Sequence, residues 1–337
     1  MINDNLHDFR LLVLNSSQFK PAWWLSNPHI QTIYSSLTRH LKAPIDKTER
    51  LELPDRDFID LAWAINGLKD DSPLVIFLHG LGGSVHSTYV AGQLHAYNRA
   101  GWRGVLMHFR GASATPNRLP RAYHSGETED LNFVLNTLAA REPNTKKSVV
   151  GVSLGGNVLL KGLGEQQKQF LIHAAVAISV PFQLDILATH MNQGFSKLYQ
   201  THLLNKLAAM FKQKYTYYPD IMPTYFNKLK TYRSFWSFDE HVTAPLHGFS
   251  SATDYYQASS SRQFLKNIKT PTLILHALDD PFMTPLAVPT PQELSSDITL
   301  ELSAKGGHVG FISGKIPGQA HYWLDKRVPE FLKLYIT

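Results

Sequence analysis

The sequence predicts an α/β fold, a mostly parallel eight-stranded sheet flanked by helices, with a helical insertion. Short apolar runs alternate with helix-period segments, as expected for parallel strands joined by crossover helices. The chain has 337 residues, of which 43% are hydrophobic and 18% charged. That is enough for one large domain with an insertion, or for two smaller domains. The alternation stops between residues 183 and 251, where strand patterns vanish and aromatic residues crowd.

The strands are predicted from short apolar runs. Leu74–Leu78 is continuously apolar and ends at His79-Gly80, which is typical of a buried central strand. Two earlier segments, at 50–53 and 58–64, alternate and are expected to form an antiparallel edge. The remaining strands are predicted at residues 104–109, 148–151, 174–180, 272–276 and 298–302.

The helices are predicted between these strands, at residues 86–100, 127–140, 154–163, 256–267 and 321–335. Residues 189–214, inside the insertion, also carry apolar side chains at roughly helical spacing. The aromatic residues of the insertion are Tyr215, Tyr217, Tyr218, Tyr225, Phe226, Tyr232, Phe235, Trp236 and Phe238. Because the insertion lies between two predicted strands, we expect a cap over a pocket. An ordinary packed helical subdomain is the alternative.

The expected organisation therefore has three parts. Residues 1–182 form the N-terminal part of the core, with an N-terminal extension over residues 1–47. Residues 183–251 form the helical cap, and residues 252–337 form the C-terminal part of the core.

Composition excludes several classes of protein. The longest apolar stretch, residues 174–182, is about half of the ~18 residues that span a bilayer. The N-terminus carries Asp4 and Asp8 and no basic region followed by an apolar core, so no signal peptide is predicted. We therefore expect a soluble, cytoplasmic protein. The absence of cysteine excludes disulfides, a thiolate nucleophile and Cys-ligated zinc.

Charge and motif content argue against other partners. The net charge is +6, but no run of five basic residues occurs. A solvated surface is favoured over a basic face for nucleic acid or anionic lipid. No His-Glu-x-x-His or similar ligand spacing indicates a metal, and the glycine-rich stretch at residues 80–85 lacks the phosphate-binding patterns. No cofactor is expected.

Gly151-Val152-Ser153-Leu154-Gly155 matches the pattern G-x-S-x-G. It follows a β-branched run and opens a helical segment, the strand–turn–helix setting in which a nucleophilic serine occupies a strained turn. A Cβ at either flanking glycine would collide with nearby backbone. The positive end of the following helix favours a developing oxyanion. The sequence therefore predicts an α/β-hydrolase fold with Ser153 as its nucleophile.

A serine hydroxyl needs a base, and in this fold the partners follow in the order Ser, acid, His. His308 lies just after the last predicted strand, between glycines that let the loop turn back over the sheet. The acid is expected from Asp279-Asp280 after the strand at 272–276. Asp280 is favoured by its distance from the strand end and by Pro281 behind it, with Asp279 as the alternative.

Two backbone amides are expected to form the oxyanion hole. One belongs to Leu154, directly after the nucleophile. The other should come from the glycine-rich loop after the central strand, with Leu81 as the candidate. Glycines in that loop allow a close approach to the substrate oxygen.

Longer strings give a more specific resemblance. The chain resembles the YheT-like bacterial hydrolases, which are grouped with eukaryotic ABHD1- and ABHD3-type proteins in the AB hydrolase 4 family. The matching strings include Phe19-Lys-Pro-Ala-Trp-Trp-Leu25, Asn27-Pro-His29, Gln31-Thr32, His79-Gly-Leu-Gly-Gly-Ser84, Phe109-Arg-Gly111, Tyr123-His-Ser-Gly-Glu-Thr-Glu-Asp130, Phe238-Asp239, Thr243-Ala-Pro-Leu-His-Gly-Phe249, Asp279-Asp-Pro-Phe282 and Gly306-Gly-His-Val-Gly-Phe311.

The resemblance implies carboxylesterase-type activity with Ser153, Asp280 and His308 as the charge-relay residues. Some eukaryotic relatives act on phospholipid acyl chains and carry an N-terminal membrane anchor. For Arg110 and the segment 123–130, structural support and substrate contact stay open.

The function expected from the sequence is a serine esterase that acts on small-molecule esters, with a pocket suited to an apolar acyl group. An acyltransferase with the same residues is one alternative. A non-catalytic ligand-binding protein on the same fold is the other. Neither the acyl-chain length nor the oligomeric state follows from the sequence.

Overall fold

The computed structural model describes residues 17–166, 171–221, 228–229 and 231–337. Asp4, Asp8, Tyr225 and Phe226 lie outside these ranges. The described residues form an eight-stranded sheet flanked by helices, which confirms the predicted fold class. Its strands are β1 (Lys47–Glu52), β2 (Phe58–Ala64), β3 (Leu74–Leu78), β4 (Arg103–Met107), β5 (Lys147–Val152), β6 (Ala174–Ile178), β7 (Thr272–Ala277) and β8 (Ile298–Ser303).

The sheet has the strand order β1-β2-β4-β3-β5-β6-β7-β8. β2 is antiparallel to both β1 and β4, so the predicted antiparallel edge is present. From β4 to β8 all neighbours are parallel. The carboxyl ends of these strands therefore meet at one edge of the sheet, where the loops after β3, β5, β7 and β8 come together.

Helices cover both faces of the sheet. The helices of eight or more described residues are α1 (Pro28–Thr38), α2 (Thr88–Arg99), α3 (Glu129–Arg141), α4 (Leu154–Gln166), α5 (Leu184–Met191), α6 (Ser196–Tyr217), α7 (Ala252–Ser259) and α8 (Leu324–Ile336), of which α2, α3, α4 and α8 pack on the sheet. Alternate side chains of β3 enter two separate cores: Ile76 packs with the core that includes α3 and α4, and Phe77 packs with the one that includes α2 and α8. This period of two buries the central strand on both faces.

The predicted helix over residues 256–267 is wrong. α7 ends at Ser259, Ser260 is extended, and Ser261–Asn267 form a 3-10 helix. The Asn157 side chain donates to the Ser259 carbonyl (2.7 Å) and accepts from the Ser261 amide (3.0 Å). A buried side chain thus replaces the helical bonds at this break, which periodicity does not reveal.

One further helix begins later than predicted, and one helix was not predicted. The helix expected over 321–335 begins only at Leu324, because His321–Tyr322 pair with Ile312–Ser313 as two short strands, β10 and β9. α1 was not predicted. It begins after Asn27, whose side chain accepts from the amides of His29 and Ile30, a typical N-cap.

The region between β6 and β7 is mostly helical. The predicted helical stretch 189–214 falls in α5 and α6, which are separated near Gly194 (φ +48°). Short helical segments follow at Phe235–Phe238, Asp239–Thr243 and Ala244–Leu246. Side chains of α5, α6 and α7 share a third apolar core with Phe282 from the loop after β7. None of the helices in the described ranges combines the length and the hydrophobicity that a transmembrane span needs.

Candidate active site

Ser153 occupies the turn between β5 and α4 with a positive φ of 53°, a strained value for a residue with a side chain. Its amide donates to the Ile178 carbonyl of the neighbouring strand (2.8 Å). A Cβ on Gly155 would lie 2.5 Å from the Leu78 carbonyl oxygen, and one on Gly151 2.4 Å from the Gly155 carbonyl oxygen. The glycines of the motif therefore allow the close backbone approach that the turn requires.

The predicted partners of Ser153 lie in line with it. His308 Nε2 is 3.0 Å from Ser153 Oγ, and His308 Nδ1 is 2.8 Å from Asp280 Oδ2. A carboxylate can only accept, so Nδ1 carries the proton and Nε2 is left to accept from the serine hydroxyl. The other oxygen of Asp280 accepts from the Phe282 amide (2.8 Å), which fixes the carboxylate.

Asp279 has a different environment from its neighbour. Its Oδ1 accepts from the Gly307 amide (2.9 Å), so it supports the backbone just before His308. Burial raises the pKa of Asp279, while the Gly307 amide and Lys305 act in the opposite direction. The structure thus brings Asp280, rather than Asp279, to the imidazole.

The loop that carries His308, residues 304–311, is held by α1. Thr32 Oγ1 accepts from the His308 amide (2.9 Å) and donates to the Pro28 carbonyl (2.7 Å). The Gln31 side chain is buried, donates to the Ile312 carbonyl and accepts from the Ile312 amide. The sequence assigned no role to Gln31 and Thr32, although they lie in a string that carries the family resemblance.

Aromatic packing fixes the other side of the imidazole. The Phe282 ring stacks on His308, with centroids 3.9 Å apart and planes 10° apart. Tyr199 from α6 packs on Phe282 at 5.0 Å. His29 of α1 lies beside Tyr199, with its Nδ1 atom 3.2 Å from the tyrosine hydroxyl oxygen. α1, α6 and the His308 loop therefore meet at this point, and His29 lies in the contact between the two helices.

The loop at residues 80–83 is a tight turn beside Ser153. The Gly83 amide donates to the Gly80 carbonyl (2.9 Å), and Gly82 has a φ of 64°. The amides of Gly80 and Gly82 donate to the hydroxyls of Tyr89 and Tyr123, respectively. Within the described chain, the Leu81 amide has no hydrogen-bond acceptor, and Leu81 lines the pocket that contains Ser153.

The Leu154 amide also has no acceptor within its helix, because Leu154 is the first residue of α4 and the first N–H groups of a helix have no intrahelical partner. Leu154 lines the same pocket as Ser153. The two residues predicted for an oxyanion hole therefore flank one space. Tyr123 holds the turn that presents Leu81, and burial raises the pKa of this tyrosine to about 12. This contact of Tyr123 was not predicted, although the residue opens the most specific string of the resemblance.

Arg110 lies in a buried ion-pair network. It pairs with Asp130 (2.7 Å), Asp57 (2.9 Å) and Asp55 (2.7 Å), and its side chain is 2% exposed. Burial opposes its charge, but the carboxylates raise the pKa of Arg110 above its usual value. These contacts make Arg110 a structural support that ties the loop after β4 to α3. Of the segment 123–130, Tyr123 and the two residues after it line the pocket.

The pocket around Ser153 has an apolar wall and a polar wall. The apolar side chains come mainly from α5 and α6: Leu184, Leu187, Ala188, Met191, Leu203, Leu207 and Phe211. The polar side chains, besides Ser153, are Tyr123, His124, Ser125, Asp239, Thr243, His247, Tyr255 and Tyr256.

Burial governs the charge of this polar wall. It raises the pKa of Asp239 to about 6, although Thr243 and Tyr256 donate to its carboxylate. It also lowers the pKa values of His124 and His247, which favours neutral imidazoles. In the described ranges, no group of three or more His, Asp or Glu side chains could hold a metal ion.

Comparison with known proteins gives consistent matches. A family model described as the alpha/beta hydrolase fold matches residues 73–315. YheT of Escherichia coli (strain K12), provisionally named an esterase, is 42% identical over 323 residues, covering 96% of this chain and 95% of YheT. The human phospholipase ABHD3 is 27% identical over 328 residues, covering 94% and 79% of the two chains.

A yeast (Saccharomyces cerevisiae) monoacylglycerol lipase is 30% identical over 276 residues, covering 79% of this chain and 60% of the lipase. Among solved structures, the Pyrococcus furiosus esterase Pf2001 aligns with a TM-score of 0.55 at 17% identity, covering 96% and 99% of the chains. That likeness concerns the fold. The chain belongs to the α/β-hydrolase fold family, within the group of YheT- and ABHD-like proteins.

Proposed function

We propose that this protein is a serine hydrolase that cleaves carboxylic esters through an acyl-enzyme intermediate. The observation that carries the proposal is the continuous hydrogen-bonded chain from Ser153 Oγ through His308 to Asp280, with distances of 3.0 and 2.8 Å. Ser153 itself lies in a strained turn directly before α4 and lines a pocket.

In the first half of the reaction, Ser153 Oγ attacks the ester carbonyl carbon as His308 Nε2 takes the hydroxyl proton. Asp280 holds the Nδ1 proton and stabilises the imidazolium that forms. The tetrahedral intermediate then collapses, the ester bond breaks, and His308 returns the proton to the leaving alcohol. In the second half, water is activated by the same nitrogen and releases the acid from Ser153.

The Leu81 and Leu154 amides are proposed as the donors to the carbonyl oxygen as it gains negative charge. Their support is that both flank Ser153 and neither is taken up by another group in the described residues. Such preorganised donors stabilise the transition state more than the substrate. Loss of one donor typically lowers turnover by about 10²–10³.

The acyl group is proposed to lie against the apolar wall formed by α5 and α6. Two relatives, the yeast monoacylglycerol lipase and the human phospholipase ABHD3, are named for lipid esters, which is consistent with such a group. We also propose that residues 183–251 act as the cap of this pocket, because they supply most of its apolar wall.

The decisive experiment is labelling with a fluorophosphonate probe. Wild-type protein should be labelled at Ser153, and Ser153→Ala should not. Ser125→Ala is the matched control, because Ser125 lines the same pocket and should leave labelling intact. Folded wild-type protein that stays unlabelled, or Ser153→Ala that still reacts, would overturn the proposal.

The substrate is then defined by a series of p-nitrophenyl esters from acetate to palmitate. An apolar acyl wall predicts that kcat/KM rises with chain length before it levels off. Measuring products with and without added alcohol separates hydrolysis from acyl transfer: hydrolysis predicts free acid as the main product in both cases.

A further inference from the structure

The outer face of α1 is apolar and exposed. Ile30, Ile33 and Leu37 follow helical spacing, so their side chains share one face, and Leu37 is 67% exposed. Trp23, in the 3-10 helix just before α1, is 70% exposed. Single exposed apolar residues are ordinary, but several on one face mark an interaction surface.

This face continues onto the start of α6. The His29 ring lies 4.4 Å from the Phe195 ring, which joins α1 to the residue before α6. Phe195 and Leu198, one helical turn apart, are 53% and 60% exposed. We call the six side chains Trp23, Ile30, Ile33, Leu37, Phe195 and Leu198 the apolar face.

Exposed lysines lie close to the apolar face along the chain. Its side chains come from the 3-10 helix, from α1 and from the start of α6. The Lys315 carbonyl accepts from the Trp23 ring nitrogen (3.0 Å), which brings Lys315 to its edge. Lys20 precedes Trp23 by three positions, and Lys197 lies between Phe195 and Leu198.

Several of these basic residues are available to a partner. Lys20, Lys197 and Lys315 are exposed, and within the described chain none of them forms an ion pair. Lys197 and Lys315 directly precede Leu198 and Ile316, both exposed. The surface thus combines apolar side chains with unpaired ammonium groups.

We propose that the apolar face is a docking surface for the anionic face of a lipid bilayer. Trp, Phe, Leu and Ile side chains enter the boundary between headgroups and acyl chains, and the flanking lysines meet the anionic headgroups. A second copy of this chain fits less well, because a two-fold contact would set the same positive charges against each other.

Docking would place the candidate active site next to the lipid. The inner side of α1 holds the His308 loop through Thr32, and Tyr199 of α6 packs on Phe282 beside His308. The delivery of lipid esters to Ser153 rests on the proposed function. The docking itself does not, since Ser153 takes no part in it.

The test is co-sedimentation of Ser153→Ala protein with vesicles of phosphatidylcholine, with and without phosphatidylglycerol. Because the lipid is not consumed, binding is measured whether or not the protein is an esterase. Binding should require phosphatidylglycerol and weaken at about 1 M salt, where the Debye length is about 3 Å.

Two sets of variants, each with a matched control, locate the surface. Leu37→Glu/Leu198→Glu should weaken binding by more than tenfold, whereas Leu171→Glu/Leu334→Glu, which adds the same two charges, should not. Leu171 is 50% exposed and precedes β6. Leu334 is 74% exposed on α8, near the C-terminus that contacts Lys146 at the start of β5, so it lies at the edge opposite Ser153. Lys197→Glu/Lys315→Glu should weaken binding by at least about 25-fold, since each lysine contributes about fivefold. The control Lys69→Glu/Lys269→Glu changes the same charge before β3 and β7.

Equal binding to vesicles with and without phosphatidylglycerol, or no binding at all, would overturn the proposal. The proposal would also be overturned if the variants of the apolar face and their controls weakened vesicle binding equally. Light scattering gives a further arm: a dimer that the Leu37→Glu/Leu198→Glu variant dissociates would assign the face to a second copy instead. Circular dichroism confirms that each variant is folded.

Discussion

Tyr123→Phe removes the hydroxyl that accepts the Gly82 amide at 2.9 Å and leaves the ring in place against Phe109. The Gly82 N–H then has no acceptor in the closed turn. A buried donor without a partner costs about 1–3 kcal/mol, and Gly82 is only partly buried, so the lower part of that range applies. The turn can relieve this cost by rotating the peptide, and such rotation also moves the neighbouring Leu81 amide.

The expected kinetic effect follows from that displacement. Complete loss of one oxyanion donor costs about 10²–10³ in kcat. The turn keeps its bond between Gly83 and Gly80, so the displacement is partial and kcat should fall about ten- to hundredfold. KM should change by less than about threefold, because the interaction is made mainly in the transition state.

The measurement is steady-state hydrolysis of a p-nitrophenyl ester, together with thermal unfolding. Tyr97→Phe is the matched control: Tyr97 is fully buried on α2 and donates to Gln93 (3.0 Å), away from the pocket. It should lower stability and leave kcat unchanged. An unchanged kcat in Tyr123→Phe, or an equal fall in both variants, would refute the reasoning about the turn.

Three further predictions concern the groups that hold His308 and the buried His276 of β7. Asp280→Asn should lower kcat by about 10⁴. Asp279→Asn keeps an oxygen that can accept from the Gly307 amide, so kcat should fall less than tenfold. A larger fall in Asp279→Asn than in Asp280→Asn, measured in an ester assay, would reject Asp280 as the partner of His308. Thr32→Val should lower kcat about tenfold with KM nearly constant, and Thr32→Ser should restore it; failure of the rescue would exclude the hydroxyl as the cause. Burial lowers the pKa of His276 to about 4, against the opposing charge of Asp280 and with a smaller contribution from His308. The unfolded chain therefore takes up a proton below pH 6.5 that the folded chain binds only near pH 4. On lowering the pH through this window, denaturant unfolding should therefore show a loss of stability about 3 kcal/mol larger in the wild type than in His276→Leu; parallel curves would contradict this.

The parts that the sequence predicted well depend on local patterns. The strands at β3 and β5 are continuous apolar runs, and Ser153 follows one of them in a short glycine motif. Their identity is set by neighbours in the chain, so periodicity and turn chemistry suffice. The relation between Asp280 and His308 was also predictable, because both follow parallel strands whose carboxyl ends meet at one edge.

The parts that escaped prediction depend on distant contacts. Thr32 reaches the His308 amide across 276 positions of sequence, and no local pattern announces such a bond. Asn157 likewise ends α7 by bonding on both sides of Ser260, although the apolar spacing there continues. In each case a side chain satisfies backbone groups of another segment, which only the packed structure brings together.

The support of the His308 loop by α1 determines which residues belong to one folded unit. The family model covers residues 73–315, so a fragment cut to that range would keep Ser153, Asp280 and His308. It would lose β1, β2 and α8, and also α1 with Thr32. Because Thr32 and His308 are 276 positions apart, the loop can be fixed only after the chain between them has been made. Engineering by domain transplantation should therefore carry residues 17–45 along with the sheet, because a version without them leaves the His308 and Ile312 amides without their acceptors on α1.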